Sequence, residues 1–268
     1  MPKITRKNAI SGCTIVPSSQ RAHKPGRCLD LRDRRHSVAL RIPFGILLVA
    51  LVLPSSIRAR QRPLIQFEPA DFALVGAAGA LWVAPIALGF EPGLPSCLPC
   101  PREGVPFFDR FAIGEEITSI DITSTILLLG IYAGVGLDLW RRPETGFPHA
   151  AAAGESVLLA TGITEVLKNA IGRPRPVIYS DGATALADPA RERRSLPSGH
   201  ATGAFAAVTS YLLSRDGAIS TEERLAVLGA AVVIGTLRVA ASSHFPSDVL
   251  AGAAVGIGTA YLVHEIKF

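Results

Sequence analysis

The chain has 268 residues, 49% of them hydrophobic and only 18% charged, with a mean hydropathy of +0.35, a balance that argues against an ordinary soluble domain and for a membrane protein. The formal net charge of +5 sits at one end: residues 1–38 hold nine Lys or Arg against Asp30 and Asp33, leaving the remainder slightly acidic. Nucleic-acid binding by the folded part therefore has no support.

Residues 1–62 read as a basic, disordered tail followed by a signal-like or anchoring apolar segment. That segment, IPFGILLVALVLPSSIRARQ at 42–61, has an apolar stretch at 42–54 too short for a comfortable span. A basic flank before it and Ser55, Ser56 and Ala59 after it fit a secretory signal, with the natural start expected near this point. Residues 63–268 then read as one helical domain with apolar segments at 71–90, 119–140, 149–168, 199–214, 224–243 and 247–265. Asp71 and Pro85 make the first of these the most doubtful span. Runs such as GAAGA, AGVG and AGAAVGIGTA would let helices approach closely. The expected fold is an all-α, multi-span membrane bundle of about six helices with the active site at one membrane face.

Four cysteines do not make a disulfide framework. Cys97 and Cys100 form a lone CLPC in a Pro- and Gly-rich loop, favouring a local disulfide over a zinc site; Cys13 and Cys28 lie in the tail.

Three polar patches interrupt the apolar background: LKNAIGRPRP with Lys168, Arg173 and Arg175; PSGH at 197–200; and RVAASSHFPSD from Arg238 to Asp248. Alternating spans bring the end of the third segment, the start of the fourth, and the junction of the fifth and sixth to one face. Lys168, Arg175 and Arg238 are cations at the ends of apolar helices, where a phosphate would neutralise them. Ser198 is expected to cap the fourth helix, and Gly199 to let an anion approach its N-terminus. Asp248 can accept a hydrogen bond from one ring nitrogen of His244, leaving the other nucleophilic, and His200 can protonate a leaving oxygen. Arg173 receives no direct role. No HExxH or carboxylate cluster points to a metal, and no cofactor is implied.

With its K-x6-RP, PSGH and R-x5-H-x3-D patches in order, the sequence resembles the type-2 phosphatidic acid phosphatase superfamily, whose site is shared with vanadium haloperoxidases. The resemblance spans roughly residues 119–265. It implies a metal-independent phosphatase in which His244 is the nucleophile forming a phosphohistidine, Asp248 orients it and His200 is the general acid. Lys168, Arg175, Ser198, Gly199 and Arg238 would hold the phosphate. The pattern departs at Leu237, where a serine usually stands.

The expected substrate is an amphiphilic phosphate such as a lipid phosphate or isoprenoid diphosphate, with a polar lip at 177–196 around it. The expected location is a bacterial-type inner membrane, the site facing the periplasm. Arg141, Arg142, Arg215, Arg224 and Lys267 on the opposite face suit a cytoplasmic side. A cleaved signal followed by six spans would invert that placement, so the two expectations compete. The rival functions are a non-catalytic lipid-phosphate binder or transporter-like protein and, further off, a vanadate-dependent haloperoxidase.

Overall fold

A computed structural model describes residues 67–268 other than residue 91, all within the unit formed by residues 59–268. The basic tail, the segment 42–61, Cys13 and Cys28 lie outside the described residues. Six α-helices follow in order: α1 (Pro69–Ala87), α2 (Thr118–Arg141), α3 (Gly146–Ile171), α4 (Gly199–Ser214), α5 (Thr221–Ala240) and α6 (Pro246–Lys267). Short 3-10 turns occupy the longer loops, and no strand occurs among the described residues.

Local chemistry sets several of these ends. Pro69 and Pro246 occupy the first turns of α1 and α6, where a missing N–H costs nothing. Asp71 accepts from the Glu68 N–H at 2.7 Å, and Asp248 does the same for Phe245 at 2.9 Å. Ser220 caps α5 by accepting from the Glu223 N–H at 3.1 Å. Gly172 ends α3 at φ +61°, a left-handed conformation that suits glycine, and donates its N–H to the Lys168 carbonyl.

Four helices, α1, α2, α3 and α6, are long and apolar enough to cross a bilayer. The doubt attached to segment 71–90 thus falls elsewhere. Asp71 sits in the first turn of α1 and pairs with Lys267, and Pro85 lies near the far end of the helix, so neither interrupts its middle. The helices that fall short are α4 and α5. With 16 residues, α4 is about 24 Å long against a hydrocarbon core of about 30 Å. α5 carries Glu222, Glu223 and Arg224 in its first turn and Arg238 in its last.

α4 is the hub, buried from Ala201 to Tyr211 except at Phe205 and packed against α2, α3, α5 and α6. Glycines permit the closest of these approaches. A Cβ at Gly252 of α6 would lie 2.5 Å from the Ser198 carbonyl oxygen, and one at Gly256 would collide with the Thr202 carbonyl. Apolar side chains such as Ile126, Leu129, Val232, Leu250 and Leu262 remain exposed on the outer helices. In water such a surface is a liability; in hydrocarbon it is the face turned to the solvent. The chain is a multi-pass membrane protein by this architecture.

Helix alternation gathers the loops 88–117, 172–198 and 241–245 at one end. Backbone bonds fasten them there: Cys100 N–H to Ile178 O at 3.0 Å, Ile117 N–H to Ala241 O at 3.1 Å, and Ser198 N–H to Asp248 O at 2.9 Å.

Candidate active site

All three polar patches reach that end. Lys168 lies in the last turn of α3, with Arg173 and Arg175 just beyond Gly172; Ser198, Gly199 and His200 open α4. Arg238 lies in the last turn of α5, His244 in the turn that follows, and Asp248 in the first turn of α6. The bond from Ser198 N–H to Asp248 O joins the second patch to the third. A Cβ on Gly199 would stand 3.3 Å from Lys168 Nζ, so the glycine leaves room for the first patch against the second. Lys168 and Arg175 act electrostatically on both His200 and His244.

The three cations are held from behind. Arg175 donates its backbone N–H to the Glu192 carbonyl at 2.8 Å and its Nη1 to Glu192 Oε2 at 3.2 Å. Lys168 Nζ lies 3.8 Å from Glu165 Oε1. Arg238 Nη1 is paired with the Asp121 carboxylate and donates to Ser124 Oγ at 3.0 Å, both on α2. That hydroxyl reaches Arg238 from another helix, whereas the position before it is Leu237. His200 Nε2 is 2.9 Å from Thr125 Oγ1, also on α2.

His244 is 1% exposed. Burial pushes its imidazole down to about 3, with Arg175 and Lys168 adding to the effect and Asp248 opposing it. The ring is neutral at pH 7 and has a lone pair to offer.

Two expectations about these side chains need correction. Ser198 occupies the N-cap position, but its hydroxyl makes no capping bond; it is fully buried without a hydrogen-bond partner in the protein. Asp248 Oδ2 lies 3.7 Å from His244 Nδ1, beyond hydrogen-bond range, and Nδ1 has no partner. The carboxylate is engaged elsewhere. Oδ2 accepts from Ser195 Oγ at 2.5 Å and Phe245 N–H at 2.9 Å, and Oδ1 accepts from Arg173 Nη1 at 2.5 Å.

Ser195 and Asp109 escaped the sequence reading, and Arg173, named in the first patch, was given no direct role. Arg173 stood in plain view inside GRPRP, where either arginine could serve the site. Asp109 stands alone in the loop before α2, and its proximity depends on a contact that no spacing announces.

Arg175 Nε and Arg238 Nε are also buried without partners in the protein, like Ser198 Oγ. These are donors left over at a cationic cup, an arrangement suited to the oxygens of a phosphate. Among the described residues, no group of His, Cys, Asp or Glu is arranged to hold a metal ion. Beside the cup, a cleft of about 480 Å³ has an apolar wall of Trp82, Ile86 and Phe90 and a charged rim of Glu165, Arg191 and Arg194. Glu165 links this rim to the cup, since it pairs with both Lys168 and Arg194. Cys97 and Cys100 form a disulfide in the α1–α2 loop, at the same end of the bundle.

Residues 149–268 match the PAP2 superfamily. A lipid A 1-phosphatase of Rhizobium etli is 36% identical over 106 residues, 38% of this chain and 43% of the relative. One from Rhizobium johnstonii is 37% identical over 106 residues, 38% of this chain and 41% of the relative. The chain thus spans about two-fifths of the length of these curated relatives. The crystal structure of Aquifex aeolicus LpxE is similar at a TM-score of 0.43 and 22% identity, over 58% of this chain and 92% of that one. The match to the PAP2 superfamily covers residues 149–268, which hold all three polar patches.

Proposed function

We propose that this protein is a metal-independent lipid phosphatase working through a phosphohistidine. Lys168, Arg175, Arg238, Ser198 Oγ and the backbone at Gly199 hold the phosphoryl oxygens and stabilise charge that grows on them. His244 attacks phosphorus through Nε2, and the bond from phosphorus to the leaving oxygen breaks. His200, held down to about 4 by burial and the nearby Arg238 but protonated once the phosphate anion is bound, gives its proton to that oxygen. His200 then takes a proton from water as the water attacks the phosphohistidine, releasing inorganic phosphate and restoring the neutral His244 and the protonated His200. The observation carrying this reading is the set of buried, unpartnered donors beside a neutral buried histidine. Apolar groups would be cheaper there unless an anion completes them.

The substrate we infer is a membrane amphiphile with an exposed phosphate, a glycosidic lipid 1-phosphate of the lipid A type first among them. The named activity of the Rhizobium relatives and the apolar wall beside the cup support this choice. The site faces the periplasm in this proposal, because the Cys97–Cys100 disulfide shares its end and belongs in an oxidising compartment.

The test is phosphate release from a panel of lipid phosphates and diphosphates in detergent with chelator present. Release by the natural protein and its loss in His244→Ala support the proposal. Undiminished release by His244→Ala would refute the nucleophile. Saturable binding without any release would favour the lipid-phosphate binder.

A further inference from the structure

Asp109 lies in the α1–α2 loop, outside the family match at 149–268, yet it is fully buried against the first turn of α6. Its Oδ1 accepts from the Ser247 N–H at 3.1 Å, a first-turn donor that α6 cannot satisfy itself. Its Oδ2 accepts from Ser247 Oγ at 2.6 Å and from Arg173 Nη2 at 2.8 Å. Arg173 Nη1 in turn donates to Ser247 Oγ at 2.7 Å and to Asp248 Oδ1 at 2.5 Å. The guanidinium carbon stands 4.5 Å from the centre of the Phe245 ring, next in sequence to His244. One planar cation thus bridges two buried carboxylates, one from each side of the family boundary, and leans on the turn that carries the nucleophile.

We propose that Asp109 and Arg173 act together as positioning residues for the phosphoryl-transfer site. By holding Asp248 through Oδ1, Arg173 leaves Oδ2 as the oxygen turned towards His244 Nδ1. By holding Arg173 and the Ser247 backbone together, Asp109 fixes where that carboxylate stands relative to the ring. Arg offers a planar fork whose two terminal nitrogens each fix one carboxylate in direction as well as distance, whereas Lys would offer a single point charge without that geometry. Neither residue touches the phosphate cup. Their effect therefore falls on the chemical step rather than on substrate affinity.

The proposal rests on the phosphatase reading for its kinetic arm alone. Asp109→Asn, Arg173→Gln and the double variant are compared with the natural protein for kcat, KM and thermal unfolding in detergent. Each single change lowers kcat on the order of 10- to 100-fold with KM little altered. The double is no worse than the more damaging single, because the two act as one unit. Unchanged kcat in the singles, effects that multiply in the double, or losses that merely follow the folded fraction would overturn it. If Asp109→Asn fails to fold, Arg173→Lys carries the same expectation.

A second arm needs no turnover: the ring 15N shifts of His244, read in histidine-labelled protein, move in Asp109→Asn or Arg173→Lys. Unmoved shifts would overturn the proposal. If the natural protein releases no phosphate from any lipid, the functional reading fails, while the ring shifts still decide on Asp109 and Arg173.

Discussion

The two ends of the bundle both bury charge but treat it differently. At the end away from the cup, Lys267 Nζ reaches Asp71 Oδ1 at 2.5 Å and Glu155 Oε2 at 2.8 Å, tying the end of α6 to α1 and α3. Arg215, also buried there, lies 3.7 Å from Asp138 and 3.9 Å from Glu223. These charges consume one another, as structural ion clusters must. At the cup, Arg175, Arg238 and Ser198 keep buried donors that no protein group takes. Arg215 Nε and Nη1 at the far end are also buried without a hydrogen-bond partner. Leftover donors therefore mark a site only where they gather with further cations beside two histidines, as at the cup. The same contrast weakens the charge count used for orientation: Lys267 and Arg215 are buried among acidic partners, so neither is a free basic residue of a cytoplasmic face.

The sharpest way to break this contrast is to remove the central cation of the strut. Lys267→Ala leaves Asp71 and Glu155 buried and unpaired, and it should cost about 3–5 kcal/mol of stability, read from denaturant unfolding in detergent. Turnover per folded molecule should be unchanged. A selective loss of turnover would mean that the far end belongs to the site.

Ser198→Ala is the converse. Phosphate affinity should fall by about 1.5–3 kcal/mol, read as weaker inhibition by inorganic phosphate. Unfolding should not become easier, since the hydroxyl caps nothing. A drop in stability with affinity intact would place Ser198 among the structural groups.

A further effect is on acid stability. His244 titrates near 3 when folded, below its ordinary value of 6.5, so between those values the unfolded chain binds the extra proton. Its share of stability is present above about pH 6.5 and is lost as pH falls towards 3. His244→Gln should flatten the loss of stability through that window; an unchanged slope would show that His244 does not contribute to it.

The apolar runs made the six helices legible, because burial and span length act through composition. Convergence of the three patches was legible too, since parity along a helical bundle is fixed by counting. The internal surroundings of each polar group were not. Ser198 reads as a cap because serine usually caps, and it does stand at the N-cap position, but its hydroxyl makes no hydrogen bond within the protein. Asp248 reads as the hydrogen-bond partner of His244 from i,i+4 spacing alone, whereas Ser195, Phe245 and Arg173 reach it first. Asp109 was illegible altogether, for it meets Arg173 only after two long loops fold over one end. Spacing speaks for neighbours on one helix and is silent on partners delivered by loops.

The most direct measurement is mass spectrometry of the protein quenched in alkali during turnover of a lipid phosphate, mapping any phosphoryl group to its residue. The account predicts an acid-labile phosphoryl group on His244, absent from His244→Ala and formed more slowly when His200 is replaced by a residue unable to move the proton. An active protein that carries no phosphohistidine, or carries it on another residue, would contradict the account.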